Sequence, residues 1–86
     1  MKSYFNKGDK VRFQLNYNSA REFAECTDLT EEQIEKLDGM IATINCLECA
    51  NAGPDDPIDK DFEYYDVTFD NGIKIFGCSG YNLEEL

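Results

Sequence analysis

Residues 62–72, FEYYDVTFDNG, decide the fold. Before the turn, apolar and polar side chains alternate, and this period of two is typical of a half-buried β-strand over 62–70. The inward set is Tyr65, Val67 and Phe69. The pair Asn71-Gly72 then tolerates the positive φ that both central positions of a type I′ turn require. The stretch therefore predicts a β-hairpin whose second arm is residues 73–76.

Three further segments read as strands. Residues 10–15 alternate strictly, with Val11, Phe13 and Leu15 on one face, and Gly8-Asp9 before them supplies a turn. Residues 40–46 and 82–86 are the other two strands. Residues 47–61, with two prolines among acids, are predicted to form a loop, and Gly77 and Gly80 are predicted to bracket a turn.

The region between the first two strands carries two helix signatures. Ser19 followed by Glu22 fits a capping box that starts a helix from Ala20 to Cys26. Thr30 followed by Gln33 fits a second capping box, and Gly39 is placed to end that helix in the left-handed conformation. A short helical insertion over about residues 19–38 is the expectation.

A chain of 86 residues is long enough for one domain. Five short strands, each with one apolar face, favour a small closed barrel, because closure leaves few free strand edges. The predicted fold class is mainly β.

Four segments together carry a resemblance to a known fold. They are KGDKVRF from Lys7, LDGMIATI from Leu37, YYDVTFDNG from Tyr64 and NLEEL from Asn82. Their order resembles the small SH3-like barrels, with a KOW- or Tudor-like pattern, and most of all the short SH3-like proteins of bacteriophages and bacterial mobile elements. The resemblance implies a single five-stranded SH3-like domain over residues 1–86 and a phage or mobile-element setting. It implies no catalytic residue.

The composition excludes several classes of function. The chain has 18 acids, 8 bases and no histidine, for a net charge of −10. Without histidine there is no Ser-His-Asp triad and no Cys₂His₂ zinc finger. The negative charge argues against direct binding of nucleic acid, whose phosphates are also negative. We therefore expect a protein that is not an enzyme.

The hydropathy of the chain bears on its location. No apolar run approaches the roughly 18 residues that a membrane helix needs. The first eight residues, MKSYFNKG, lack the apolar stretch of a signal peptide. We expect a cytoplasmic protein with reduced cysteines and no membrane partner.

Four cysteines offer a candidate metal site. Cys46 and Cys49 form a CxxC pair whose thiolates would reach one zinc ion if they lay on a turn, and Cys26 and Cys78 would complete a Cys₄ set. The hairpin register places Cys78 opposite Tyr65, away from that pair. The competing interpretations are ordinary small buried thiols, with no cofactor, and a disulfide.

A partner-binding patch is predicted from aromatic residues outside the core alternation. Tyrosine is enriched in interface hot spots. The candidates are Tyr17, Tyr64, Tyr81 and, on the polar face of the third strand, Asp66. Core packing is the competing interpretation for each tyrosine.

Three functions follow from these observations. The first is a non-enzymatic protein-binding module, a phage or mobile-element accessory protein that acts on a host protein. The second is an acidic DNA mimic that inhibits a DNA-acting host enzyme. The third is a small structural zinc-binding domain.

Overall fold

The mainly β fold class is confirmed. The computed structural model describes residues 3–15, 19–50 and 59–86. Its strands are β1 Lys10–Phe13, β2 Ile41–Ala50, β3 Glu63–Phe69, β4 Lys74–Ser79 and β5 Leu83–Glu85, and its helices are α1 Ala20–Cys26 and α2 Glu31–Leu37. Single 3₁₀ turns, Lys60–Phe62 and Gly80–Asn82, precede β3 and β5. The strands form one antiparallel sheet in the order β4-β3-β2-β1-β5.

The sheet is strongly curled. β4 and β5 lie at its opposite edges, four strand spacings apart, which would be about 19 Å in a flat sheet. Only the turn Gly80–Asn82 joins them, and a 3₁₀ turn advances about 2 Å per residue. The two edges must therefore approach each other. Within the described strands no hydrogen-bonded ladder pairs β4 with β5, so the sheet is not closed.

The helical insertion packs on the concave face of this sheet. Both predicted helices are present, and both capping boxes are formed, at Ser19 and at Thr30. Phe23 of α1 packs edge-on against Phe13 of β1, with ring centroids 5.3 Å apart. α2 buries Ile34 and Leu37 in the same core. In the described parts of the chain, no helix is long and apolar enough to cross a membrane.

The β3–β4 turn differs from the predicted type I′ turn. Among the described residues only glycines have positive φ, so Asn71 does not adopt the conformation that type I′ requires. Gly72 has φ of 89°, its N–H donates to the Phe69 carbonyl at 2.9 Å, and the Phe69 N–H donates to the Ile73 carbonyl at 2.7 Å. This is a three-residue loop, a tight turn followed by a left-handed glycine.

A bulge in β4 restores the register that the longer loop shifts. Val67 pairs with Ile75, but Tyr65 pairs with Cys78, so one extra residue lies in β4 between them. Gly77 takes φ of 70° at this bulge. The predicted pairing of Tyr65 with Cys78 is confirmed, because the two offsets cancel. The predicted turn at Gly77 is wrong: β4 continues to Ser79, and the turn is Gly80–Asn82.

β2 is longer than predicted. It continues through residues 47–50, which the prolines and acids that follow had assigned to a loop. Two irregularities, at Asn45 and at Glu48, keep it paired with β3, and Leu47 lies opposite Tyr65 while Cys49 lies opposite Tyr64. Cross-strand contact with aromatic residues stabilises such an extension. Residues 51–58 of the predicted loop lie outside the described residues.

Candidate protein-binding groove

The predicted partner-binding residues lie in different places. Tyr64 and Asp66 are both on the outer face of β3, where every second residue is half-buried. Tyr81 is an exposed residue of the turn Gly80–Asn82. Tyr17 lies outside the described residues. The structure thus brings Tyr64 and Asp66 to one surface, beside β4.

Asp66 is the centre of a hydrogen-bonded network on that surface. Its Oδ1 accepts from the N–H of Gly77 at 2.9 Å, and its Oδ2 accepts from the thiol of Cys46 at 3.3 Å. The carboxyl of Glu48 is a further hydrogen-bonding partner. Because the bulge turns the Gly77 N–H away from the ladder, the Asp66 carboxylate satisfies a donor that the backbone of β3 does not reach.

The network sets the protonation of its members. Burial opposes ionisation of Asp66, but hydrogen bonds from Glu48, from the Gly77 N–H and from Cys46 outweigh it and lower the pKa of Asp66. The same hydrogen bond and the nearby negative charge raise the pKa of Glu48. The hydrogen bond to Asp66, with some burial, likewise raises the pKa of the Cys46 thiol. Asp66 therefore ionises more readily than Glu48, and its carboxylate favours the thiol form of Cys46, which is a poor nucleophile.

Asp66→Asn should make Cys46 more reactive toward iodoacetamide. Loss of the carboxylate charge lowers the pKa of Cys46 toward its ordinary value, so we expect about threefold faster alkylation near pH 8. The difference in alkylation rate should disappear at a pH above the pKa of Cys46 in both proteins, where the thiol is ionised in wild type and variant alike. Peptide mapping by mass spectrometry resolves the sites, with Cys49 as the internal reference. An unchanged Cys46 rate would show that Asp66 does not hold the thiol proton.

The four cysteines are not gathered into one site. Cys78 is fully buried in the core, and burial raises its pKa to about 12. Cys46 and Cys49 are exposed on the outer side of β2, and Cys26 is exposed at the end of α1. Across residues 3–15, 19–50 and 59–86, no three cysteine or carboxylate side chains are grouped so as to hold a metal ion.

A groove runs between α1 and the edge strand β4. It consists of two adjoining clefts of about 180 and 370 Å³ that share Cys26, Thr27 and Phe76. We call it the β4 groove, and its full lining is Glu22, Phe23, Glu25, Cys26, Thr27, Asp28, Leu29, Tyr64, Lys74, Ile75, Phe76, Gly77 and Ser79. It includes the predicted residues Tyr64 and Cys26, and Asp66 adjoins it through Gly77. Tyr81 is not part of the lining.

Phe76 is the residue of this groove that the sequence analysis missed. It is 71% exposed, the most exposed of the large apolar side chains described. Ile75 is buried beside it, and alternation along β4 turns Phe76 outward. The same alternation in Ile73-Lys74-Ile75-Phe76 would have identified it, because inward-facing isoleucines leave the phenylalanine on the solvent side.

The rim of the groove is acidic. Its charged residues include the acids Glu22 and Asp28, with Asp66 adjoining, and one lysine, Lys74. The exposed Glu25 forms an ion pair with Arg21 at 3.4 Å. The C-terminal turn of α1, which has no basic residue, adds the negative end of its peptide dipoles. An apolar floor with an acidic rim is suited to an apolar segment that carries positive charge.

Comparisons with protein-family models, with curated proteins and with solved structures found no match.

Proposed function

We propose that this protein is a non-enzymatic protein-binding module that engages its partner through the β4 groove. The observation that carries the proposal is the exposure of Phe76 on β4, an edge strand that pairs only with β3 among the described strands, beside an apolar cleft floored by Phe23 and Ile75. Exposed aromatic side chains next to concave apolar surface are typical of interface anchors. The resemblance to SH3-like proteins of phages and mobile elements supports an accessory protein that acts on a host protein.

The strand order supports an SH3-like barrel that is open between its first and last edges. β4 and β5 are brought together by one 3₁₀ turn. The helical insertion, which lies between β1 and β2 in the chain, covers the core. In such an arrangement the outer edge of β4 is left without a ladder partner among the described strands, because β5 does not pair with it. The fold proposal and the functional proposal thus rest on the same open edge.

Phe76→Ser should abolish most partner capture without unfolding the protein. The side chain is largely exposed, so its loss costs little stability, whereas loss of an interface anchor lowers affinity by about tenfold or more. The measurement is quantitative mass spectrometry of proteins retained by tagged wild type and variant from a lysate of the source organism, at low and high salt. A partner retained equally by both proteins would contradict the proposal.

The salt series also separates the DNA-mimic alternative. A mimic competes through charge, so its capture of a DNA-acting enzyme must weaken as salt screens that charge, and Phe76→Ser should leave it unchanged. Capture of a groove-bound partner should instead depend strongly on Phe76 and less on salt. The network at Asp66 and the acids of the helices supply the charge on which the mimic hypothesis rests.

A further inference from the structure

The β4 groove follows a strand edge along almost its whole length. Lys74, Ile75, Phe76, Gly77 and Ser79, five of the six residues of β4, line it. Phe69 and Ile73 form a hydrogen-bonded pair of the ladder. Hydrogen-bonded and non-hydrogen-bonded pairs alternate along an antiparallel ladder, so Val67 and Ile75 form the next hydrogen-bonded pair. The backbone N–H and C=O groups of Lys74 and Phe76 consequently point away from β3, toward the groove.

We propose that the β4 groove receives an extended, basic segment of the partner protein, which pairs with β4 as an additional antiparallel or parallel strand. The inference rests on the proposed function and names the class of partner. An unpaired strand edge provides a row of donors and acceptors that only another extended backbone can match, and strand addition is a common mode of peptide recognition.

The charge of the site selects the occupant. A second copy of this chain would bring another net charge of −10 to the acidic rim, and like charges disfavour that contact. A segment rich in lysine or arginine is attracted by Glu22, Asp28 and Asp66.

The side chains of the added strand would have distinct environments on its two faces. On the inner face they meet Phe23 and Ile75 at the floor of the cleft, which favours an apolar residue. On the outer face they meet the exposed ring of Phe76, over which an arginine or lysine side chain gains a cation–π contact. An alternating apolar and basic segment therefore fits both faces.

The test uses a displayed library of random dodecapeptides selected against the full chain, with Phe76→Ser as counter-selection. We expect recovered peptides with net positive charge, alternating apolar and basic residues and no internal proline. The best peptide is then added to ¹⁵N-labelled protein at about ten times its Kd, where hydrogen exchange of the Lys74 and Phe76 amides should slow by about tenfold. Leu86→Ser, which removes a 66% exposed apolar side chain elsewhere, should not change the Kd.

Four outcomes would overturn the proposal. One is that selection yields no binder, another is that the recovered peptides are acidic or helix-forming, and the third is that the Lys74 and Phe76 amides are not protected. N-methylating alternate residues of the best peptide gives two isomers, and retention of binding by both would also exclude strand addition. After any of these results, the proposed protein-binding function still holds if Phe76→Ser abolishes partner capture. If Phe76→Ser retains partner capture as well, both proposals are wrong.

Discussion

Gly80→Ala should destabilise the protein by about 3 kcal/mol or more, the largest effect we expect of any single methyl group. A Cβ at position 80 would lie 1.8 Å from the carbonyl oxygen of Lys60 and 2.6 Å from its carbonyl carbon. These are backbone atoms of the neighbouring 3₁₀ turn, so no side-chain rotation relieves the overlap. The turn Lys60–Phe62 must move away from Gly80–Asn82, and the sheet edges that the second turn joins move with it.

Urea denaturation followed by circular dichroism measures this loss. Gly72→Asn is the comparison for backbone strain without overlap: nothing lies within 4 Å of a Cβ there, and its positive φ should cost only about 1 kcal/mol, less than Gly80→Ala. The Lys60 side chain also bonds the Gly80 carbonyl at 2.9 Å, so Lys60→Ala should cost some stability alone but should not rescue Gly80→Ala. A stability of Gly80→Ala within about 0.5 kcal/mol of wild type would refute the close packing of the two turns.

Tyr65→Phe should cost about 2–3 kcal/mol, although it removes a single oxygen atom. The buried Tyr65 hydroxyl donates to the Glu63 carboxylate at 2.7 Å and accepts from the Phe5 N–H at 3.0 Å. Glu63 is itself 4% exposed and also accepts from the Tyr4 N–H at 3.0 Å. Without the hydroxyl, a buried carboxylate and a buried N–H each lose a partner.

A double-mutant cycle tests whether the negative charge of Glu63 is the main cause of the stability lost in Tyr65→Phe. In a Glu63→Gln background, Tyr65→Phe should cost less than in wild type, because the amide carries no charge to be left uncompensated. Tyr4→Phe is the control. The Tyr4 hydroxyl hydrogen-bonds to Glu85 at the exposed surface, where water can take the place of the lost hydroxyl. Equal costs of Tyr65→Phe in both backgrounds would show that the carboxylate does not depend on this hydroxyl.

Local signals in the sequence predicted the elements that depend on local chemistry. The two capping boxes fix α1 and α2 because Ser19 and Thr30 bond to backbone only three residues away. The alternation in 62–70 identified the inward face of β3, and with it the pairing of Tyr65 and Cys78. The prediction of that pairing succeeded although the turn type was wrong, since the extra loop residue and the bulge compensate each other.

Long-range contacts set the features that the sequence did not reveal. The bulge at Gly77 depends on the Asp66 carboxylate, which lies on another strand. The burial of Glu63 depends on backbone groups of the N-terminal segment, about sixty positions away in the chain. The β4 groove requires α1 to pack beside an edge strand, and the identity of the edge follows only from the complete strand order. For that reason Tyr64 was found in advance but Phe76 was not.

The most direct test of binding through the β4 groove is the ratio of the dissociation constants of Phe76→Ser and Leu86→Ser for the captured partner. Both variants remove one largely exposed apolar side chain, 71% and 66% exposed, so they match in surface chemistry and in their small effect on stability. Position 76 is in the groove, whereas position 86 follows β5, the strand at the other edge of the sheet. Titration by isothermal calorimetry should give a ratio of about ten or more. A ratio near one would contradict binding through the groove.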